Sequence, residues 1–69
     1  MDQRQIWQHK TSGEQYAVVL VDGQISEASG PLHHSEVDAI RNGEQFDNDV
    51  EVAADLLANE ADYAVVYDC

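Results

Sequence analysis

Tyr16-Ala-Val-Val-Leu-Val-Asp22 contains the longest apolar run in a sequence that is otherwise polar and acidic. Its six consecutive apolar residues, three of them Val, are too few for a helix. They are also too continuous for a strand that exposes one face to solvent, where polar and apolar residues would alternate. The run therefore predicts a central β-strand whose two faces are both covered, at least in part. Tyr63-Ala-Val-Val-Tyr-Asp68 repeats this pattern and predicts a second core strand in a similar environment.

A first strand precedes the central one. Residues 5–10 are short and mixed in polarity, and the cluster of turn-forming residues at 11–14 joins them to the central strand as a hairpin. Since neighbouring side chains of a strand point to opposite faces, Ile6 and Trp7 are expected on opposite sides of the sheet.

A third strand follows the central one. Asp22-Gly23 is a strong hairpin signal, because Asp and Gly both tolerate the positive φ that a two-residue turn requires. The strand over Gln24–Ala28 is expected to stop at Ser29-Gly30-Pro31, since proline has no amide hydrogen for a ladder. The three strands thus predict a meander.

A short helix is predicted over Ser35–Asn42. Ser35 with Asp38 three residues later is a capping pattern, and Gly43 can close the helix. Its small apolar contact face consists of Val37 and Ile40. Phe46, in the loop that follows, is interpreted as a core residue and not as a binding residue.

A second helix is predicted from Asp47 or Asn48, either of which can cap it, to about Ala61. Apolar residues at helical spacing predict one stripe that faces the sheet. The stripe consists of Val50, Ala53, Ala54, Leu57 and Ala61. The expected fold is a single α+β domain over residues 1–69, with a mostly antiparallel four-stranded sheet and two helices on one face.

Length and composition limit the kinds of function that the chain can have. A chain of 69 residues can bury only a small hydrophobic core, and few residues remain that could enclose an active site. The single cysteine, Cys69, excludes an internal disulfide, and neither a signal-peptide pattern nor a membrane-spanning apolar run is present. We therefore expect a soluble protein of the cytoplasm.

The negative charge is concentrated in one region. The whole chain carries a net charge of −11. Residues 1–43 hold six acids and all three bases, for a net −3, whereas residues 44–69 hold eight acids and no base. Such a region repels nucleic acids and anionic membranes and attracts basic partners.

Three interpretations of this charge compete. A solvated acidic face predicts charge spread around the whole surface, which the uneven distribution fits poorly. A nucleic-acid mimic would use carboxylates four residues apart, spaced by about 6 Å along a helix, as a row of phosphates. The third interpretation is another acidic interaction protein, such as an antitoxin that masks a basic toxin.

The chain resembles the small acidic anti-CRISPR proteins of phages and mobile elements in its length, its single α/β domain, its regional acid excess and its lack of catalytic residues. The resemblance implies a protein without enzymatic activity that occupies the DNA-binding or PAM-reading surface of a Cas effector subunit with carboxylates. The residues expected to bind the partner are Glu44, Asp47, Asp49, Glu51, Asp55, Glu60 and Asp62.

Other kinds of site are not favoured by the sequence. The adjacent His33 and His34 point different ways in an extended segment and are interpreted as polar residues before a helix, so no metal or other cofactor is expected. Cys69 has no neighbouring base that would make it a nucleophile. The tyrosines of the strands and Trp7 are expected to pack in the core, although Trp7 could instead lie on an open face of the sheet and anchor a partner.

Overall fold

The computed structural model describes residues 2–68, which form four strands and two helices in the order β-β-β-α-α-β. This confirms the predicted α+β class. A single turn of 3-10 helix, Glu60–Asp62, precedes the last strand. The elements are β1 Asp2–His9, β2 Gln15–Val21, β3 Gln24–Ser29, α1 His34–Arg41, α2 Val50–Ala58 and β4 Tyr63–Asp68.

The four strands form one antiparallel sheet in the order β3-β2-β1-β4. The predicted central strand β2 is an inner strand, and β4 pairs with β1 at one edge. The expectation that β4 is a core strand in a similar environment is therefore wrong, since four of its six residues are exposed. Asp22 and Gly23 have φ values of 54° and 81°, as the predicted hairpin turn between β2 and β3 requires. Both outer ladders shift register once, because β3 and β4 each hold one extra residue.

The two helices cover opposite faces of the sheet. Trp7, Val18 and Ala28 point to one face, where they pack with Leu56 of α2. Ile6 and Ala17 point to the other face and pack with Ile40 of α1. We call these the α2 side and the α1 side.

The expectation that both helices share one face is therefore wrong. The physical reason lies in the inner strands, which carry large apolar side chains on both sides. Ile6 and Trp7 are neighbours on β1, they point opposite ways and both are buried, so each side of the sheet needs its own cover. The expectation that both faces of β2 are covered is confirmed, because Ala17 and Val18 are both fully buried.

Helix α1 begins earlier than predicted. Its N-cap is His33 and not Ser35, and the backbone amide of His33 donates to Oε1 of Glu36 at 3.0 Å. Ser35 already lies inside the first turn. Gly43 closes the helix as predicted, with a φ of 91° and an amide that donates to the carbonyl of Ile40 at 3.0 Å.

Helix α2 begins later than predicted, and its start is fixed by β3. The N-cap is Asp49, not Asp47 or Asn48, and its Oδ1 accepts from the amides of Glu51 and Val52 at 3.0 and 3.3 Å. Asp49 also donates its own amide to the carbonyl of Ala28 at 2.7 Å, while the amide of Ala28 donates to Oδ1 of Asn48 at 3.0 Å. These two bonds hold the start of the helix against the sheet.

The anchored start turns a different stripe of α2 toward the sheet. Leu56 is fully buried, and Val52 and Ala53 are half-buried against the same cluster. The predicted stripe was wrong at most of its positions, since Val50 and Leu57 are 73% and 59% exposed. The helix also ends at Ala58, before the predicted end at Ala61.

Trp7 and Phe46 are core residues, as predicted. Trp7 is buried on the α2 side, and its indole nitrogen donates to Oε1 of Gln5, itself buried, at 2.9 Å. Phe46 is half-buried on the α1 side and packs against the cluster around Ile40. An open sheet face anchored by Trp7 is thus ruled out as a partner site.

Candidate acidic interface

All seven carboxylates that the sequence assigned to partner binding have exposed side chains. None of them forms an ion pair with a Lys or Arg between residues 2 and 68. The negative charge of this region is therefore left to solvent or to a partner. The residues are Glu44, Asp47, Asp49, Glu51, Asp55, Glu60 and Asp62.

The three bases of the chain contact carbonyl oxygens and aromatic rings. Arg4 Nη1 donates to the carbonyls of Ile40 and Glu44 at 3.2 and 2.6 Å, and its guanidinium lies 5.7 Å from the centroid of the Phe46 ring. Arg4 thereby ties β1 to the end of α1, where the carbonyl of Ile40 also accepts from the amide of Gly43, and to the loop that follows.

Lys10 and Arg41 have similar structural roles. Lys10 Nζ donates to the carbonyl of Ala61 at 2.9 Å, which ties the turn before β4 to the end of β1. The guanidinium of Arg41 lies 4.9 Å from the centroid of the Tyr67 ring. The positive groups thus stabilise loops and helix ends. Lys10 is the base nearest to Asp62, because its amide donates to the carbonyl of Asp62 at 2.9 Å, but its ammonium bonds Ala61 and not the carboxylate.

Two of the predicted residues, Asp55 and Asp62, lie near one tyrosine on the α2 side. The Tyr63 hydroxyl donates to Oδ2 of Asp55 at 3.5 Å, and the charges of both carboxylates act on this hydroxyl. Asn59 Nδ2 also donates to Oδ1 of Asp55, at 3.1 Å. Glu51 precedes Asp55 by one helical turn on α2, which places it on the same edge.

A second tyrosine adds a carboxylate that the sequence did not assign to the site. The ring of Tyr16 meets the ring of Tyr63 edge to face, with centroids 5.6 Å apart. Glu14 and Asp55 both act on the Tyr16 hydroxyl. Glu14 lies at the end of the sheet, where its charge reaches Tyr16 and where it also lines a pocket with His33 and Val37 beside α1. We call Glu14, Glu51, Asp55 and Asp62 the acidic face.

The pKa of both tyrosines lies above the ordinary value of 10.0, first because of burial and second because of the nearby carboxylates. For Tyr16, burial raises the pKa most, followed by the charges of Glu14 and Asp55. For Tyr63, burial again raises the pKa most, and the ionisation of Tyr16, the charge and hydrogen bond of Asp55 and the charge of Asp62 add to it. The hydroxyls stay protonated at neutral pH and can donate hydrogen bonds.

Glu44 and Asp47 belong to a different surface. Together with Glu36 they line a pocket of ≈ 310 Å³ beside α1, next to Ile40 and Phe46. Because Ile40 and Phe46 pack on the α1 side, these carboxylates lie across the sheet from the acidic face. The predicted residues thus divide between two sides and do not form one row.

Asp49 and Glu60 belong neither to the acidic face nor to the pocket beside α1. One oxygen of Asp49 is committed to capping α2, so this side chain has a role in the fold. Glu60 lies with Leu57 at a pocket beside the β2–β3 turn. The sequence missed Glu14 because it was assigned to a turn in the less acidic half, although the pairing of β1 with β4 brings that turn toward residues 60–62.

The tyrosines give the acidic face a measurable signature. Asp55→Asn is expected to lower the pH at which Tyr16 and Tyr63 ionise, because it removes a negative charge that raises the pKa of both. The measurement is an alkaline titration followed by the ultraviolet absorbance of tyrosinate. Glu27→Gln, on β3 at the edge of the sheet opposite to Tyr63, is the control and should leave the curve unchanged.

These tyrosines also affect stability at high pH. Because their pKa values are raised in the folded protein, their contribution to stability is complete below pH 10.0 and is lost as the pH rises through the raised values. Asp55→Asn, with lower folded-state pKa values, should therefore lose less stability at high pH, and its loss should be complete at a lower pH than in the wild-type protein. Identical tyrosinate curves for the two proteins would show that Asp55 does not act on these rings.

The remaining candidates provide no second site. Between residues 2 and 68, no group of three or more potential ligands could hold a metal ion. His33 and His34 are the N-cap and first residue of α1, and both are exposed beside a pocket of ≈ 450 Å³ that Glu14 also lines. Cys69 lies outside the described residues. Over residues 2–68, no helix has both the length and the apolar character needed to cross a membrane.

No protein-family model, curated protein or solved structure matches the chain.

Proposed function

We propose that this protein is an inhibitor without enzymatic activity that binds a basic nucleic-acid-binding surface in place of DNA. The observation that carries the proposal is the acidic face, whose carboxylates are exposed and lack a Lys or Arg partner. Its partner would be a DNA-binding protein of a bacterial host. The resemblance to small acidic anti-CRISPR proteins favours a Cas effector subunit as that partner.

The physical argument starts from what a DNA-binding groove requires. Lys and Arg in such a groove bind phosphates and release their counterions, so affinity depends on the charge presented and falls with added salt. Carboxylates one helical turn apart, such as Glu51 and Asp55, are about 6 Å apart along the helix axis. With Glu14 and Asp62 beside them, they present several negative charges to one groove at once.

Charge neutralisation on the acidic face tests this proposal. Glu51→Gln combined with Asp62→Asn is expected to weaken inhibition of DNA binding at least tenfold, because the variant keeps the shape of the surface and removes two charges. Asp55 is left intact because it bonds Asn59 and Tyr63. The measurement is a gel shift of a PAM-containing duplex with purified Cas effector complexes, titrated with each protein.

A matched control removes the same charge elsewhere. Glu27→Gln combined with Asp38→Asn changes exposed acids on β3 and α1 and should inhibit as well as the wild-type protein. The protein alone should not shift the duplex, since its own field repels DNA. Equal inhibition by the two double variants would show that the acidic face does not bind the partner. If the carboxylates serve only to keep the protein soluble, both double variants should change its solubility and not its inhibition.

A further inference from the structure

Helix α2 carries a second line of apolar side chains that the fold leaves uncovered. Val50, Ala54 and Leu57 are separated by four and three residues, so they lie on one face of the helix. All three are exposed, with exposed fractions of 73% for Val50 and 59% for Leu57. We call these three residues the outer stripe.

The outer stripe continues into a pocket beside the sheet. This pocket of ≈ 400 Å³ is lined by Leu57, Ile25 and the turn residues Gly23 and Gln24, with Glu60 among them. Ile25 is half-buried and packs against the core, so the pocket has an apolar floor. A small apolar side chain that entered it would contact Leu57 and Ile25 together.

Carboxylates lie at both ends of this apolar surface. Glu51 is next to Val50 at the start of the helix, and Glu60 lines the pocket at its end. Residues 44–69 include no Lys or Arg. A second copy of the chain would therefore bring carboxylates against carboxylates, whereas a cationic partner meets opposite charge at each end.

We propose that the outer stripe docks a basic amphipathic helix of the protein that the acidic face binds, and this inference rests on the proposed function. Val50 and Leu57 are two helical turns apart, or about 10.5 Å along the axis. A partner helix with apolar residues at i, i+3 or i+4, and i+7 matches that length. Its Lys or Arg side chains would meet Glu51 and Glu60.

The outer edge of β4 is another exposed apolar surface, and it fits a partner less well. Val65 and Val66 are 51% and 49% exposed on this edge strand. However, Val66 is an extra residue in the ladder with β1, because Ile6 pairs with Tyr67 and Trp7 pairs with Val65. Such a bulge bends an edge strand and disfavours the addition of another strand.

Two synthetic peptides of identical Leu, Lys and Ala composition test the docking proposal. In the first, Leu residues fall on one helical face at i, i+4 and i+7; in the second, the order is scrambled so that no face is apolar. The wild-type protein is expected to bind the first at least tenfold more tightly than the second, measured by calorimetry at physiological salt. Equal affinities would overturn the docking proposal, since charge alone would then account for binding.

Variants locate the binding surface. Val50→Gln with Leu57→Gln should weaken binding of the amphipathic peptide at least tenfold, because it removes the apolar contact and leaves every charge in place. Val65→Gln with Val66→Gln makes the same chemical change on β4 and should alter the affinity less than twofold. The fluorescence of Trp7, which is buried under α2, shows whether each variant is folded.

The possible results separate this proposal from the proposed function. A larger loss in the β4 variant than in the α2 variant would overturn docking on the outer stripe. So would a dimer, seen by sedimentation, that the α2 variant abolishes. Failure to displace DNA would count against the proposed function alone, because the peptide comparison involves no DNA.

Discussion

Leu56→Ala is expected to destabilise the protein by about 2–5 kcal/mol, the usual cost of truncating a fully buried leucine. Leu56 has no exposed surface and joins Trp7, Val18 and Ala28 on the α2 side. Domains of this size are stable by only about 0.05–0.15 kcal/mol per residue, so the change removes a large part of the free energy of unfolding. Urea unfolding followed by the fluorescence of Trp7 measures it.

The neighbouring leucine provides a matched control. Leu57 is 59% exposed, and Leu57→Ala should change the free energy of unfolding by less than about 0.5 kcal/mol. The pair distinguishes the observed rotation of α2 from the stripe that the sequence predicted, in which Leu57 faces the sheet. A larger loss for Leu57→Ala than for Leu56→Ala would mean that the helix is turned the other way.

Gly30→Ala is expected to cost about 2–4 kcal/mol, because it combines backbone strain with a steric overlap. Gly30 has a φ of 152°, and a Cβ atom there would overlap the ring of Tyr16. The ring cannot move freely, since it packs edge to face against Tyr63. Thermal and urea unfolding should both show the loss, and the tyrosinate titration should change because the ring pair is disturbed.

Gly43→Ala separates the two causes. Gly43 also has a positive φ, 91°, but a Cβ there has no neighbour within 4 Å. The variant should therefore show only the backbone cost of about 1–2 kcal/mol. If Gly30→Ala were no more damaging than Gly43→Ala, the tight contact between the loop and Tyr16 would be contradicted.

The strands could be predicted from sequence because their signals are local. Continuous apolar residues define β2 and β4, and Asp22-Gly23 supplies the positive φ values that the hairpin needs. The predicted bounds of β4, Tyr63–Asp68, are the bounds that the structure shows. The same apolar continuity also implied cover on both faces of β2, which is the feature that places the two helices on opposite sides.

The orientation of α2 could not be predicted, because it depends on contacts between distant residues. Apolar residues are so frequent between Val50 and Ala58 that two overlapping stripes are possible. The choice is made by the bonds that Asn48 and Asp49 form with Ala28 of β3. No local pattern near residue 50 encodes these bonds, and the outer stripe is a consequence of them.

The sequence predicted the acidic character of the candidate site, but it did not predict which carboxylates lie together. The region of carboxylates without bases followed from composition, and the spacing of Glu51 and Asp55 placed them one helical turn apart. Glu14 joins them through strand pairing and through the contact of Tyr16 with Tyr63, which a count of charges along the chain does not reveal. Glu44 and Asp47 are separated from this group because α1 lies across the sheet.

The most direct test of the central claim asks whether the protein and DNA exclude each other on one partner. A purified Cas effector complex is titrated with a labelled PAM-containing duplex at several fixed concentrations of the protein. We predict that the apparent Kd for DNA rises linearly with the protein concentration from its value without the protein, with an unchanged maximum, and that the effect weakens steeply with added salt. A ternary complex in which DNA binds with unchanged affinity while the protein remains bound would contradict the account.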